Sequence, residues 1–303
     1  MQIRPTSLTL NQLFGSSNEQ YVIPSYQRRY SWGERQINEL LEDIELLEGA
    51  DTHLLGNIVC LTRAHQAGVN SLELVDGQQR LTTIAILLHC ILERLKRDDR
   101  ADLAAEANRL INAREPNGDA HPKILLDSID RKDFERLQSG AEDSANPALT
   151  AAFWILREWV DGYSPEEFSV FFYKLQNQAL IIRLDVSEAK DAFKLFETIN
   201  NRGLRLSATD IIKNFLLGNA ARFDADALEK ARECWTRLLR HLDGVNTEMF
   251  FRNYLTARLT RRVTRAHVVP EFKSLFMGEV LEAGKLPERS FYVDAPSEIE
   301  DVD

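Results

Sequence analysis

The stretch Leu72-Glu73-Leu74-Val75-Asp76-Gly77-Gln78-Gln79-Arg80-Leu81-Thr82-Thr83-Ile84 decides the fold, because its hydrophobic period changes in the middle. Leu72, Leu74 and Val75 read as the end of a buried strand, while Leu81, Ile84, Leu87, Leu88 and Ile91 recur at helical spacing. Asp76-Gly77 is the turn between them. Gly77 accepts backbone angles that a side chain would obstruct, and the free N–H groups opening the helix form a partial positive pole suited to phosphate. Arg80, one turn in, can add a bidentate charge-assisted contact worth about 1.5–3 kcal/mol. Gln78 and Gln79 offer amides to a base or sugar edge, and Asp76 can hold Mg2+ through water or orient an attacking water. The same pattern also describes an ordinary α/β junction with Asp76 as helix cap, and the local sequence does not separate the two.

Upstream, the spacing predicts a short helix over 8–14, a strand over 21–23 ending at Pro24, and an amphipathic helix over 34–47 with Ile37, Leu40, Leu41, Ile44 and Leu47 on one side. Strands are expected over 54–61 and 71–75, and a long helix over 78–97. Downstream, helices are expected at 100–113, 130–138, 147–161 and 165–177, with loops at Pro116-Asn117-Gly118 and at 139–147. Beyond residue 97 only 179–186, with Leu180, Ile181, Ile182 and Leu184, reads as a further buried strand. Helices follow near 188–200, 208–219, 225–242, 247–261 and 267–279. The expected class is α+β: an α/β core over 1–97, a mostly helical region over 98–290 that completes the site through 179–220, and an acidic tail or linker over 291–303.

At 303 residues and 44% hydrophobic content the chain has ample core material for one large domain or two ordinary ones. Its formal charge of -10 repels a nucleic-acid backbone overall, so any DNA contact must be local. The local candidates are Arg28, Arg29 and Arg35 with Tyr26, Tyr30 and Trp32 interleaved, and a second cluster at Arg261, Arg262 and Arg265. The sequence holds no apolar run of membrane-spanning length and no basic start followed by an apolar stretch, so a cytoplasmic protein without membrane contact is expected. Cys60, Cys90 and Cys234 lack C-x-x-C spacing and read as buried thiols. The six histidines are dispersed, which argues against a histidine-built metal site.

Three further clusters carry polar groups at element ends. Residues 23–32 pack two arginines and three aromatics behind a strand; a purine or ribose could lie against Tyr or Trp with Arg28 on a phosphate, or the aromatics could seal a core edge under solvated arginines. Residues 196–207 contain Gly203, a natural helix terminator, and Ser207 with Asp210, a capping pattern; Asn200, Asn201 and Arg202 add amide and guanidinium donors at a rim. Lys213 lies among Ile211, Ile212, Phe215 and Leu216, either snorkelling outward, the commoner fate, or pointing into a polar pocket. Gly56, inside a strand, marks a bulge or a close backbone approach.

Together these blocks resemble the N-terminal domain of GmrSD-type modification-dependent restriction systems, a DGQQR-motif domain. The resemblance rests on Ile-Pro-x-Tyr-Gln-Arg-x-Tyr-x-Trp at 23–32, Leu-Gly-x-Ile-Val at 55–59, Val-Asp-Gly-Gln-Gln-Arg-Leu-Thr-Thr-Ile at 75–84 and Phe-Glu-x-x-Asn-x-x-Gly-x-x-Leu-Ser at 196–207. Asp210 and Lys213-Asn214 continue the last block, and the likeness spans about residues 8 to 220. It implies a ParB/sulfiredoxin-like core with a helical extension. It further implies a site for a nucleoside triphosphate (GTP, ATP, CTP or UTP) with Mg2+, in which Asp76, Gln79 and Arg80 act on the NTP and Asp76 serves the metal. Gln27, Arg28, Gly77, Gln78, Asn200, Arg202 and Lys213 would bind the nucleotide. The implied role is NTP hydrolysis coupled to attack on modified phage DNA.

Relatives of this kind carry a C-terminal His-based nuclease domain, and nothing after residue 220 resembles one; His241 and His267 are isolated. The nuclease is therefore expected on a partner subunit or a missing C-terminal domain. Two other functions stay open at this stage: a nucleotide-sensing regulator that does not hydrolyse, and a nuclease acting through the ParB-like core. Homo-oligomerisation is also open.

Overall fold

A computed structural model describes residues 3–16, 18–62, 69–114, 120–126, 129–200 and 207–282. Six strands form one mixed sheet, and helices cover both of its faces. The strands are β1 (Ile3–Thr9), β2 (Glu19–Ile23), β3 (His53–Thr62), β4 (Asn70–Asp76), β7 (Ile124–Leu126) and β8 (Ala179–Val186), in the spatial order β1-β8-β3-β4-β2-β7. The intervening β5 (Asn112–Arg114) and β6 (Ala120–Pro122) form a separate antiparallel pair. β8, from the second half of the chain, is inserted between β1 and β3, antiparallel to one and parallel to the other.

Side chains alternate across each strand, so the sheet divides the interior into two cores. Leu72 and Leu74 of β4 join Ile58 and Cys60 of β3 in the first core, beneath α1 (Leu10–Leu13), α2 (Glu34–Glu45), α3 (Gln78–Arg97), α6 (Pro147–Asp161) and α7 (Pro165–Asn177). Val75, Val59, Leu184 and Val186 face the second core, beneath α8 (Ala189–Asn200), α9 (Ala208–Phe223), α10 (Ala225–His241) and α11 (Thr247–Leu259). α4 (Ala101–Ile111), α5 (Arg131–Gln138) and α12 (Val268–Glu282) complete the helices named here. The α+β class expected from the sequence is what the structure has, and no helix among the described residues is long and apolar enough to cross a membrane.

Several expectations need correcting. The start of the chain is a strand, β1, before a one-turn helix capped by Thr9, and not a helix over 8–14; its side chains at 4–7 are exposed at the sheet edge, so no hydrophobic period marks it. Three strands of three residues, β5 to β7, occupy a region read as helix end and loop. Cys60 and Cys90 are buried, and burial pushes the Cys90 thiol pKa up to about 12, but Cys234 is exposed on α10. The Pro116-Asn117-Gly118 turn, Gly203 and the acidic tail lie outside the described residues.

Candidate functional site

The site is built where β4 ends. Gly77 has φ +90 and caps α3, and a Cβ there would stand 2.6 Å from Ile58 Cγ2 and 3.2 Å from the Asn57 carbonyl oxygen. Only glycine fits this approach. The Gly77 N–H donates to Asp76 Oδ1 at 2.8 Å, which orients the carboxylate at the mouth of the helix. Behind the junction, β3 shifts register against β8 between Leu54 and Gly56, and Gly56 has φ +125. Of the two sequence readings of Gly56 the bulge holds, and the close neighbour it admits is a side chain rather than a backbone. That neighbour is the Arg80 guanidinium, which donates through Nη1 to the Asn57 carbonyl at 2.9 Å.

Arg80 is half-buried and hydrogen-bonded to a neutral carbonyl. Burial lowers its pKa and the Asp76 carboxylate opposes the shift, but a guanidinium stays charged at any working pH. The result is a partly desolvated cation beside the free N–H groups of a helix start, an arrangement that favours an incoming anion.

A second cation comes from α9. Lys213 is 2% exposed, so of its two sequence readings the inward one into a polar pocket holds, not the commoner snorkelling. Its ammonium donates to Gln27 Oε1, lies 3.8 Å from Asp210 Oδ1, and sits 5.9 Å from the ring centroids of both Tyr26 and Phe196. Burial lowers the Lys213 pKa; Asp210 raises it, Arg28 lowers it and Asp76 raises it again. Asp76 thus bears on Arg80 and, more weakly than Asp210 and Arg28 do, on Lys213. Gln27 is equally buried and spans the gap, with Nε2 donating to the carbonyls of Leu74 at 3.1 Å and Val75 at 2.9 Å.

Arg28 forms the outer edge. Its side chain is 40% exposed, with Nε 3.4 Å from Asp210 Oδ2 and a hydrogen bond from Nη1 to Ser31 Oγ. Asp210 thus serves both Arg28 and Lys213, while its backbone N–H caps α9 through Ser207 Oγ at 3.1 Å. The Ser207 half of the capping box read from the sequence is present, with Ser207 Oγ also donating to Asp210 Oδ2 at 2.7 Å, but that reading understates Asp210. Three cations and two carboxylates converge here, a local positive excess on an acidic chain.

Other candidates sit differently. Gln79 Oε1 accepts from the Ser31 N–H at 2.7 Å and its Nε2 donates to the Arg29 carbonyl at 3.3 Å, so this amide clamps the 24–33 loop to α3. Gln78 is buried, with Oε1 unpartnered among the described residues. Asn200 ends α8, and Arg202 lies outside the described residues. Of the two readings of 23–32, the tyrosines follow the core-edge one: Tyr26 and Tyr30 are 1% and 3% exposed, and Tyr30 bonds Thr83 at 2.8 Å. Arg29 is also no free binding group, since it pairs with Asp130, Asp133 and Asp243. In the second basic cluster, Arg261 pairs with Glu271 and Arg265 with Glu248.

The sequence reading missed the groups that hold the 24–33 loop in place. Asp130 Oδ2 accepts from the Tyr30 N–H at 2.5 Å, and Asn146 donates to both the Tyr30 carbonyl and Asp130 Oδ1 at 3.0 Å. It also missed Glu73, fully buried, which accepts from the Tyr26 hydroxyl and pairs with Arg232 at 2.6 Å. A lone carboxylate inside Leu72-Glu73-Leu74-Val75 was the available signal. An apolar groove of about 620 Å3 opens elsewhere, between α9, α10, α11 and α12, walled by Phe223, Trp235, Phe251 and Phe272; among the described residues no charged side chain lines it, so it is unsuited to phosphate.

Among curated proteins none matches the chain. The family model described as "GmrSD restriction endonuclease, N-terminal domain" matches residues 10–217, a segment that contains every site residue named above except those contributed by α10 and its following turn.

Proposed function

The chain belongs to the family of GmrSD restriction endonuclease N-terminal domains, and from that premise we propose that it is the nucleotide-binding and NTP-hydrolysing module of a DNA restriction system. A restriction-system role follows from the family itself. The observation that carries the nucleotide reading is the Arg80 guanidinium, seated on Gly56 beside the α3 start and held by a carbonyl rather than a buried carboxylate.

In this reading the α3 N–H groups and Arg80 grip the phosphates. Lys213 presents a desolvated charge from the inner side and Arg28 closes the outer side, exchanging Asp210 for the ligand. Asp76 orients the attacking water or holds Mg2+ through water; one carboxylate suits Mg2+, which takes its remaining ligands from phosphates and solvent. The ion would supply charge neutralisation on the phosphate oxygens. Gln79 acts indirectly, by fixing the 24–33 loop to the helix. Gln78 Oε1 is an acceptor left for a sugar or base donor. Modified DNA is the target of the system, and a nuclease on a C-terminal domain or a partner chain makes the cut.

Thermal shift with each of four NTPs and Mg2+, followed by phosphate release with and without modified DNA, tests this. A rise in melting temperature with at least one NTP, together with phosphate release, is expected. Binding without release would convert the module into a sensor; no shift with any NTP would end the nucleotide reading.

A further inference from the structure

Glu73 is a carboxylate with no exposed surface in the middle of a six-stranded sheet, a costly position unless its charge is matched. A charge partner comes from α10. Arg232 Nη2 stands 2.6 Å from Glu73 Oε1, and the same oxygen accepts from the Tyr26 hydroxyl. The Arg232 guanidinium also lies over the Tyr26 ring, 5.4 Å from its centroid, while Lys213 Nζ is 5.9 Å from that centroid. One residue along the chain, Gln27 holds Lys213, and the next, Arg28, holds Asp210. A second bond from α10 to this loop joins Thr236 Oγ1 and Ser25 Oγ at 3.2 Å. Arg232 lies beyond the segment that the family model matches, residues 10–217.

We propose that Arg232 is a positioning residue for the nucleotide site, acting through Glu73 and the Tyr26 hydroxyl to fix the 24–33 loop and with it Gln27, Arg28 and Lys213. Its effect on turnover rests on the nucleotide reading above; its effect on the loop does not. Arg232 touches no nucleotide. Its removal takes the Arg232 charge away from Glu73 and loosens the tie between α10 and the loop, whereas Tyr26→Phe keeps the Arg232–Glu73 pair and the ring beneath the guanidinium and removes the hydroxyl bond from the loop to Glu73.

The test uses the full chain with Arg232→Met, Tyr26→Phe and the double variant. Trypsin cleavage after Arg28 and Arg29 reports loop opening without any ligand. Each single variant is expected to speed this cleavage and to lower kcat for NTP hydrolysis by about tenfold with KM little changed, because Arg80 and the α3 start still bind the ground state. The double variant is expected to match the single ones, since one relay is broken only once. Should Arg232→Met fail to fold, Tyr26→Phe decides alone. Wild-type cleavage in folded Tyr26→Phe, or effects that multiply in the double variant, would overturn the relay. A wild-type chain that hydrolyses no NTP would defeat the functional reading instead, and the cleavage rates would still decide whether Arg232 holds the loop.

Discussion

Arg80 Nη2 lies 2.6 Å from the point where Gly56 would carry a Cβ, so the guanidinium occupies the space of an absent side chain. Gly56→Ala therefore meets two obstacles, the displaced guanidinium and a φ of +125 that alanine rarely adopts. A loss of about 1–3 kcal/mol is expected from the strained backbone. NTP affinity should fall as well, because Arg80 must leave its seat. Chemical denaturation and a nucleotide titration measure the two effects separately; native affinity in Gly56→Ala would mean that the seat is irrelevant to binding.

Asp76→Asn removes the carboxylate charge and keeps its shape. The Gly77 N–H still finds an oxygen, so the α3 start should persist. Turnover should drop by about 10²–10⁴-fold, the usual range for losing a group that orients or deprotonates a nucleophile. Thermal shift by NTP should survive. Phosphate release at the wild-type rate would remove Asp76 from the chemistry.

Lys213 gives a pH signature whose sign can be worked out. Burial lowers its pKa, so between the folded value and the ordinary value of 10.5 the unfolded chain holds a proton that the folded chain has lost. Stability contributed at this position therefore rises with pH across that window, because the unfolded state binds more protons there. Turnover moves the opposite way, since the cation facing the phosphates is discharged. The groups that bear on Lys213 are Asp210, Arg28 and Asp76, with Gln27 as its acceptor. Lys213→Met should lower turnover throughout and abolish the alkaline limb; the same limb in the variant would assign it to another group.

Ser207→Ala isolates the cap of α9. Ser207 Oγ accepts from the Asp210 N–H at 3.1 Å, and losing it should cost about 1 kcal/mol. The urea midpoint should fall with the slope unchanged. A loss several times larger would indicate that Ser207, through Asp210, also holds Arg28 and Lys213 in place.

The junction at 72–84 was legible because every signal it needs is local: alternation in β4, a glycine at the turn, and a helical stripe in α3. The helices of the second half were legible for the same reason, and Ser207 announced the start of α9. Edge strand β1 was not, since exposed residues at 4–7 carry no period. The three-residue strands β5 to β7 are too short to have one. The course of Lys213 stayed open between solvent and a polar pocket because its acceptor, Gln27, lies 186 positions away, and no window around α9 contains it. Glu73 and Arg232 are 159 positions apart, and neither residue alone reveals the pair. The tyrosines of the 24–33 loop left a stacking platform and a core-edge seal both open because their hydroxyl partners, Glu73 and Thr83, come from other elements.

The most direct measurement is phosphate release and NTP-induced thermal shift in the wild-type chain against Arg80→Ala. The grip of Arg80 on the phosphates predicts that the variant folds, shows a much smaller shift with the preferred NTP, and releases no phosphate above background. Wild-type shift and wild-type turnover in a folded Arg80→Ala chain would contradict it.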